Sequence, residues 1–317
     1  MGKENCCIRT NYGDRLYELG KENENIVVLD ADLACCSMTD GFSEAFPERY
    51  FNVGIQECNM IGIAAGLSTV GKIPFANSFA MFTAGRAYDQ IRNSVAYPRL
   101  NVKIIGTHAG VSCGEDGATH QCLEDLALMR VVPNMTVLCP CDANEVRKLL
   151  DEIVKHDGPC YVRMPRVKPE IVTDKSSYSF KIGKALQLAD GKDATVIATG
   201  IMVQVALEAA EILSNESIEV RIIDMHTIKP IDEEAICKAA GETGAIVTSE
   251  EHNIMGGLGG AVAEVLAKHN VCVPLVMNGV NDRFGKSGTY ESLMKEYGLT
   301  AEDVVECVKK AISLKNG

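Results

Sequence analysis

Short apolar, β-branched runs alternate with stretches of helical period along almost the whole chain, and this alternation constrains the fold most. Residues 8–25 carry Tyr12, Leu16 and Leu19 on one helical stripe, and Ile26-Val27-Val28-Leu29-Asp30 is a strand ended by an acid. Phe51 to Val53, Ile73 to Phe75, Asn101 to Gly106, Thr136 to Cys139 and Cys160 to Arg163 read as further strands. Helices are expected at Glu57 onward, Met81 to Tyr97 (stopped by Pro98), Leu123 to Met129 and Glu145 to Lys155. Strands that alternate with helices form a parallel sheet covered on both faces.

The series breaks at Met164-Pro165-Arg166-Val167-Lys168-Pro169 and a polar stretch through Ser176-Ser177. It then restarts with strands at Ala194 to Thr199, Ile218 to Asp224, Ala245 to Ser249 and Val273 to Met277. Helices are expected from Val203 to Leu213, after Pro230, up to Lys268 and from Ala301 to Leu314, the last with a Thr300-x-x-Asp303 cap. At 317 residues the chain suits two cores rather than one. The expectation is α/β with two parallel-sheet domains: 1–165, a linker over 166–190, and a smaller domain over 191–317.

A net charge of −12 argues against nucleic-acid and anionic-membrane partners, which need a basic face. No apolar run reaches the roughly 18 residues that span a bilayer. The start, Met1-Gly2-Lys3-Glu4-Asn5-Cys6, has neither the apolar core of a signal peptide nor a myristoylation serine or threonine. Thirteen scattered cysteines suit reduced thiols in a cytoplasm better than a disulfide framework. Cys139-Pro140-Cys141 has no second pair at zinc spacing, so no metal site is expected there.

Three stretches could carry chemistry. Glu57 opens the small-residue helix Ile61-Gly62-Ile63-Ala64-Ala65-Gly66-Leu67. It is either a first-turn acid complementing the helix dipole or a buried acid, raised in pKa, that trades a proton with a ligand. Gly106-Thr107-His108 and Gly114-Glu115-Asp116-Gly117-Ala118-Thr119-His120-Gln121 place two histidines, acids and glycines in a loop after a strand, where ligands of α/β sheets sit. That loop is either a solvated turn or a catalytic and substrate-binding segment. Gly256-Gly257-Leu258-Gly259-Gly260 does not fit a dinucleotide fingerprint and reads as close helix packing.

Asn52-Val-Gly-Ile-Gln-Glu57 combined with Gly114-Glu-Asp-Gly-Ala-Thr-His-Gln121 resembles the pyrimidine-binding half of transketolases. The similarity continues through Phe79-Ala-Met-Phe82 and the linker into the C-terminal domain, covering essentially the whole chain. The resemblance implies thiamine diphosphate as cofactor, lying between two chains or chain halves. In the family its diphosphate and Mg2+ (or a similar divalent ion) are held by a Gly-Asp-Gly…Asn motif, and this sequence contains no Gly-Asp-Gly. The implied protein is the C-terminal subunit of a split transketolase. It would need an N-terminal subunit carrying the diphosphate and metal domain, in an α2β2 assembly acting on sugar phosphates.

By position in the resemblance, Glu57 matches the catalytic glutamate, and Phe79 and Phe82 the aromatic wall of the pyrimidine pocket, where plain core packing is the alternative. Asp32 and Leu33 match residues beside the thiazolium. His108 and Asp116 match residues near the sugar hydroxyls, and His120, Arg9 and Arg163 match residues near the substrate phosphate. Gly85 stands where the family has a third aromatic, with Arg86 beside it; Cys36, with Ser37 adjacent, stands where a phosphate-site serine is usual, and Cys58 where His or Gln is usual. The rival readings are a β subunit of a 2-oxoacid dehydrogenase, which lacks a close counterpart of 114–121, and a non-catalytic partner subunit, which has no use for the acid, histidines and arginines together.

Overall fold

The structure, a computed structural model, describes residues 6–173 and 179–317. The expected polar stretch at Ser176-Ser177 and the first five residues lie outside the described residues. Among the described residues twelve strands build two sheets: β1 Ile26–Asp30, β2 Tyr50–Asn52, β3 Ile73–Phe79, β4 Lys103–Thr107, β5 Thr136–Leu138, β6 Cys160–Arg163, β7 Leu186–Ala189, β8 Ala194–Ala198, β9 Val220–Asp224, β10 Thr227–Lys229, β11 Ile246–Asn253 and β12 Leu275–Val280. The first sheet has the order β10-β5-β6-β4-β3-β1-β2 and the second β12-β11-β8-β9-β7. Every pair is parallel except β10 on β5 and β7 on β9. Strands β1, β4, β8 and β9 are buried throughout, as strands covered by helices on both faces must be.

The two antiparallel edge strands were not legible as strands, and β10 alters the architecture. It belongs by sequence to the second half, yet it pairs with β5 of the first sheet. Ile228 in its centre is buried in a hydrophobic cluster that holds Val137 and Tyr161 of the first sheet together with Ile197 and Ile223 of the second. Lys229 Nζ donates to the carbonyls of Arg130 (2.9 Å) and Val132 (2.6 Å), satisfying the open end of helix Asp125–Val131. One of the buried clusters among the described residues is therefore common to both halves.

Helix boundaries differ in informative ways. The first helix stops at Glu22 instead of continuing to residue 25. The expected regular helix over 81–97 is instead two π turns, Met81–Arg86 and Ile91–Ala96, flanking a short α turn at Tyr88–Gln90. A π turn inserts a residue and re-aims the side chains around it, commonly where a ligand site needs it. Helix Glu57–Thr69 buries Met60, Ile61, Ala64 and Ala65 and leaves Gly62 and Gly66 exposed. The Thr300–Asp303 capping box forms and starts helix Ala301–Asn316. Among the described residues no helix is long and apolar enough to cross a membrane.

If β10 fastens the halves, Ile228→Ala should cost about 2–4 kcal/mol of stability, as other buried isoleucine truncations do, in urea unfolding followed by circular dichroism. A loss under about 1 kcal/mol would show that the strand is ornamental.

Candidate active site

The parallel register aligns the ends of four strands of the first sheet. Phe79 closes β3 beside Thr107 of β4, Gly106 pairs with Arg163 of β6, and Asp30 of β1 lies between Asn52 and Asn77. The chain turns sharply off two of these ends, with Asp32 at φ 63° and His108 at φ 57°, left-handed conformations that non-glycine residues seldom adopt. Loops 31–39, 52–57 and 108–121 thus meet at one edge.

Glu57, the first residue of its helix, is 1% exposed. Its Oε2 accepts from Arg86 Nη1 at 2.7 Å, while Oε1 is buried and meets no partner. A buried acceptor left open costs on the order of 1–3 kcal/mol. The Arg86 guanidinium lies 4.6 Å over the Phe82 ring, and Phe82 stacks on Phe79 at 5.8 Å. Phe79 in turn stacks on His108 at 4.0 Å, and His120 meets Phe82 edge-on at 5.2 Å. Glu57, Arg86, Phe82, Phe79, His108 and His120 therefore form one continuous wall. Phe79 is buried and Phe82 partly so, and each presents a ring face to a polar group of this wall.

His108 is buried, and its Nδ1 lies 3.0 Å from Thr107 Oγ1. Desolvation, with Arg9, Arg166 and His120 nearby, lowers its pKa from 6.5 to about 3, so the ring is neutral at ordinary pH. Arg9 donates to the carbonyls of Cys36 (2.6 Å) and Arg166 (3.1 Å). Arg166 donates to the Cys113 carbonyl at 2.7 Å and lies 3.6 Å from Asp116. Half-exposed Arg9 and Arg166 thus make a cationic corner beside His108. Asp32 is exposed and accepts from Asn52 Nδ2 at 3.1 Å. Beneath it, buried Asp30 accepts from the Leu33 amide and from Ser37 Oγ (2.6 Å), and desolvation raises its pKa to about 6.

Arg163 corrects the sequence expectation. It is buried against Asp125, with Nε 3.0 Å from Oδ2, and Nη2 donates to the Glu251 carbonyl at 2.7 Å. Tyr161 Oη donates to the same aspartate at 2.8 Å. The Arg163 guanidinium faces the seam between the sheets, not the cationic corner beside His108. Arg166, missed by sequence reasoning, occupies that corner; the Met-Pro turn after Arg163 carries it there, and its position in a broken, polar stretch was the available signal. Ser37 is likewise unavailable to a phosphate because its hydroxyl is bound to Asp30. Cys58 is exposed, not packed, and donates from Sγ to the Arg86 carbonyl at 3.4 Å.

Two other stretches resolve differently. The N-terminus of helix Leu258–Lys268 receives the chain's own Glu250, which accepts from the amides of Leu258 (2.7 Å) and Gly259 (2.8 Å). A Cβ at Gly257 would stand 2.0 Å from Glu250 Oε2, so the glycine run serves this close approach. Cys139 and Cys141 are buried free thiols, and Cys141 lies with the buried carboxylates of Glu145 and Asp224, with ligand-type atoms within 4.8 Å of one another.

The two sheets agree with what comparison finds. Residues 5–170 match the model of the transketolase pyrimidine-binding domain, and residues 183–304 that of the transketolase C-terminal domain. The chain belongs to the transketolase family. It is 52% identical over 300 residues, 94% of each chain, to a putative transketolase C-terminal section of Methanocaldococcus jannaschii. It is 44% identical over 309 residues to a 6-deoxy-6-sulfo-D-fructose transketolase subunit of Clostridium sp. strain MSTE9, covering 98% of this chain and 95% of the relative. A solved structure described as a split gene transketolase, inactive beta4 tetramer, superposes with a TM-score of 0.91 at 52% identity, covering 98% of this chain and 99% of that one.

The two arginines should separate in stability measurements. Arg163→Ala leaves Asp125 buried without its cation and should cost about 3–5 kcal/mol. Arg166→Ala should cost under about 1 kcal/mol, since its ion pairs are exposed. Chemical denaturation of both variants checks this.

Proposed function

We propose that the chain is the pyrimidine-binding and C-terminal subunit of a thiamine diphosphate-dependent transketolase, which moves a two-carbon ketol unit from a ketose phosphate to an aldose phosphate. The observation that carries this reading is the buried, unpartnered Oε1 of Glu57 beneath an aromatic wall. Those residues fit the aminopyrimidine ring: an aromatic face for stacking and, in a dry site, an open carboxyl oxygen able to share a proton with a ring nitrogen. The chemistry supplied by thiamine diphosphate is a nucleophilic carbon that can hold a two-carbon unit between donor and acceptor sugars.

The chain's own residues would prepare and orient the reactants. Arg86 fixes one oxygen of Glu57, leaving Oε1 to share a proton with the pyrimidine ring nitrogen. Phe82 and Phe79 form its stacking wall, and Asp32 and Leu33 border the thiazolium side. His108 is neutral, and with Nδ1 tied to Thr107 its other nitrogen is offered to a sugar hydroxyl together with Asp116. Arg9, His120 and Arg166 would receive the phosphate, with Arg166 taking the role expected of Arg163. A guanidinium suits a phosphate through paired, charge-assisted hydrogen bonds.

The reading includes an N-terminal partner chain that holds the diphosphate and Mg2+, in an α2β2 assembly. The similar structure's description as an inactive beta4 tetramer supports an enzyme that needs a second kind of chain. It also includes a division into 1–165, a linker over 166–190 and 191–317, and a cytoplasmic enzyme of pentose phosphate-type metabolism. One relative named above is a 6-deoxy-6-sulfo-D-fructose transketolase subunit, so the anionic end of the ketose donor is a phosphate or a group of like charge.

Calorimetry with thiamine diphosphate and magnesium should show no binding to this chain alone and tight binding once the N-terminal subunit is added; tight binding alone would refute the split site. In the reconstituted complex Glu57→Ala should lower the rate of ketol transfer about 100-fold or more, and a loss under tenfold would remove the glutamate from proton handling. Arg166→Ala should raise KM for the phosphorylated sugars about tenfold or more. Unchanged KM would clear Arg166 of phosphate binding.

A further inference from the structure

We propose that Glu251, contributed by the second sheet, is a positioning residue for the substrate loop, fixing the turn Gly110–Ser112 and through it the placement of His108, Asp116 and His120. This inference rests on the transketolase reading for its kinetic consequences but not for its structural ones.

Glu251 lies in β11, past the expected strand end at Ser249, where the strand runs on beside loop 108–121. It is 2% exposed, and both carboxylate oxygens are turned to one residue of the other half: the Ser112 amide donates to Oε1 and the Ser112 hydroxyl to Oε2 at 3.1 Å. Gly110 passes directly over the carboxylate. With φ at 83°, a Cβ there would come within 2.2–2.5 Å of the Glu251 carboxyl group, so the loop backbone approaches to a distance only glycine permits.

The clamp has further points on the same loop. Gln121 Nε2 donates to the Lys286 carbonyl at 2.9 Å, and the Asn253 amide donates to the Leu123 carbonyl at 2.8 Å. These fix the far end of the loop, and Glu251 fixes its beginning, four residues from His108. A carboxylate so deeply buried is costly unless hydrogen-bonded, and here the bonds it makes are to the segment that carries the candidate substrate residues. None of the proton handling or phosphate contacts above uses Glu251, so its effect on them runs through loop geometry.

The test is Glu251→Gln in the full chain, with and without the N-terminal subunit. Hydrogen–deuterium exchange of residues 108–121 should become about tenfold faster or more, as weakening of the Glu251 carboxyl's two bonds to Ser112 permits, while exchange in β1 and β3 stays unchanged. In the complex KM for the sugar phosphates should rise about tenfold, with thiamine diphosphate affinity within twofold of the parent. Ser112→Ala, which removes one hydroxyl from the clamp, should move KM the same way but less, and adding it to Glu251→Gln should have a smaller effect than it has alone. Unchanged exchange over 108–121 would overturn the proposal whatever reaction the enzyme performs. So would a fall in thiamine diphosphate affinity and kcat in step with KM, the signature of general destabilisation. A wild-type complex without ketol transfer would refute the function above and leave the exchange experiment to decide this one; should Glu251→Gln not fold, Ser112→Ala carries the same exchange and KM tests.

Discussion

Arg163 is a permanent cation sealed between two sheets, and the meeting of the two halves is arranged around it. A guanidinium cannot shed its charge when buried, so the fold must bring it an anion and acceptors. Asp125 supplies the anion, held in turn by the Tyr161 hydroxyl, and the Glu251 main chain supplies an acceptor from the other half. This one side chain ties β6, helix Asp125–Val131 and β11 together. Strand β10 makes the same connection on the apolar side, placing Ile228 in a cluster drawn from both sheets. The site loops therefore stand on a seam that both halves pack and hydrogen-bond into.

The carboxyl edge of the first sheet then concentrates polar groups that would be unfavourable anywhere else. Glu57 keeps a buried oxygen open, His108 gives up its charge, and Asp30 sits under the Asp32 turn with its pKa raised to about 6. Each is costly alone, and their gathering at one edge is the physical mark of a site shaped for a ligand. The stack from Arg86 through Phe82 and Phe79 to His108 links the buried acid to the cationic corner, so under the proposed function the residues facing cofactor and those facing sugar share one wall.

Much of this was legible in the chain. The alternation of apolar runs and helical stripes gave both sheets, because parallel strands buried on two faces leave a continuous apolar signature. Glu57 at the mouth of a glycine- and alanine-rich helix and the paired histidines of 108–121 pointed to the edge where the structure brings them together, since such polar groups have few structural uses there. The π turns at Met81–Arg86 and Ile91–Ala96 were not legible, because an inserted residue shifts the period without changing composition. Nor were β7 and β10, edge strands only three or four residues long whose partners lie far along the sequence.

The sequence by itself determined the fold class, the family and most of the residue types at the site, since periodicity and local motifs are properties of neighbouring positions. Only the tertiary structure decided between Arg163 and Arg166. The two stand three residues apart with the same chemistry, and which is sealed against Asp125 and which faces Arg9 and His108 depends on packing from β11 and the second half of the chain. The same holds for Glu251 and Ser112, 139 residues apart, whose contact no local pattern encodes. Burial and long-range pairing assign the roles that residue type leaves open.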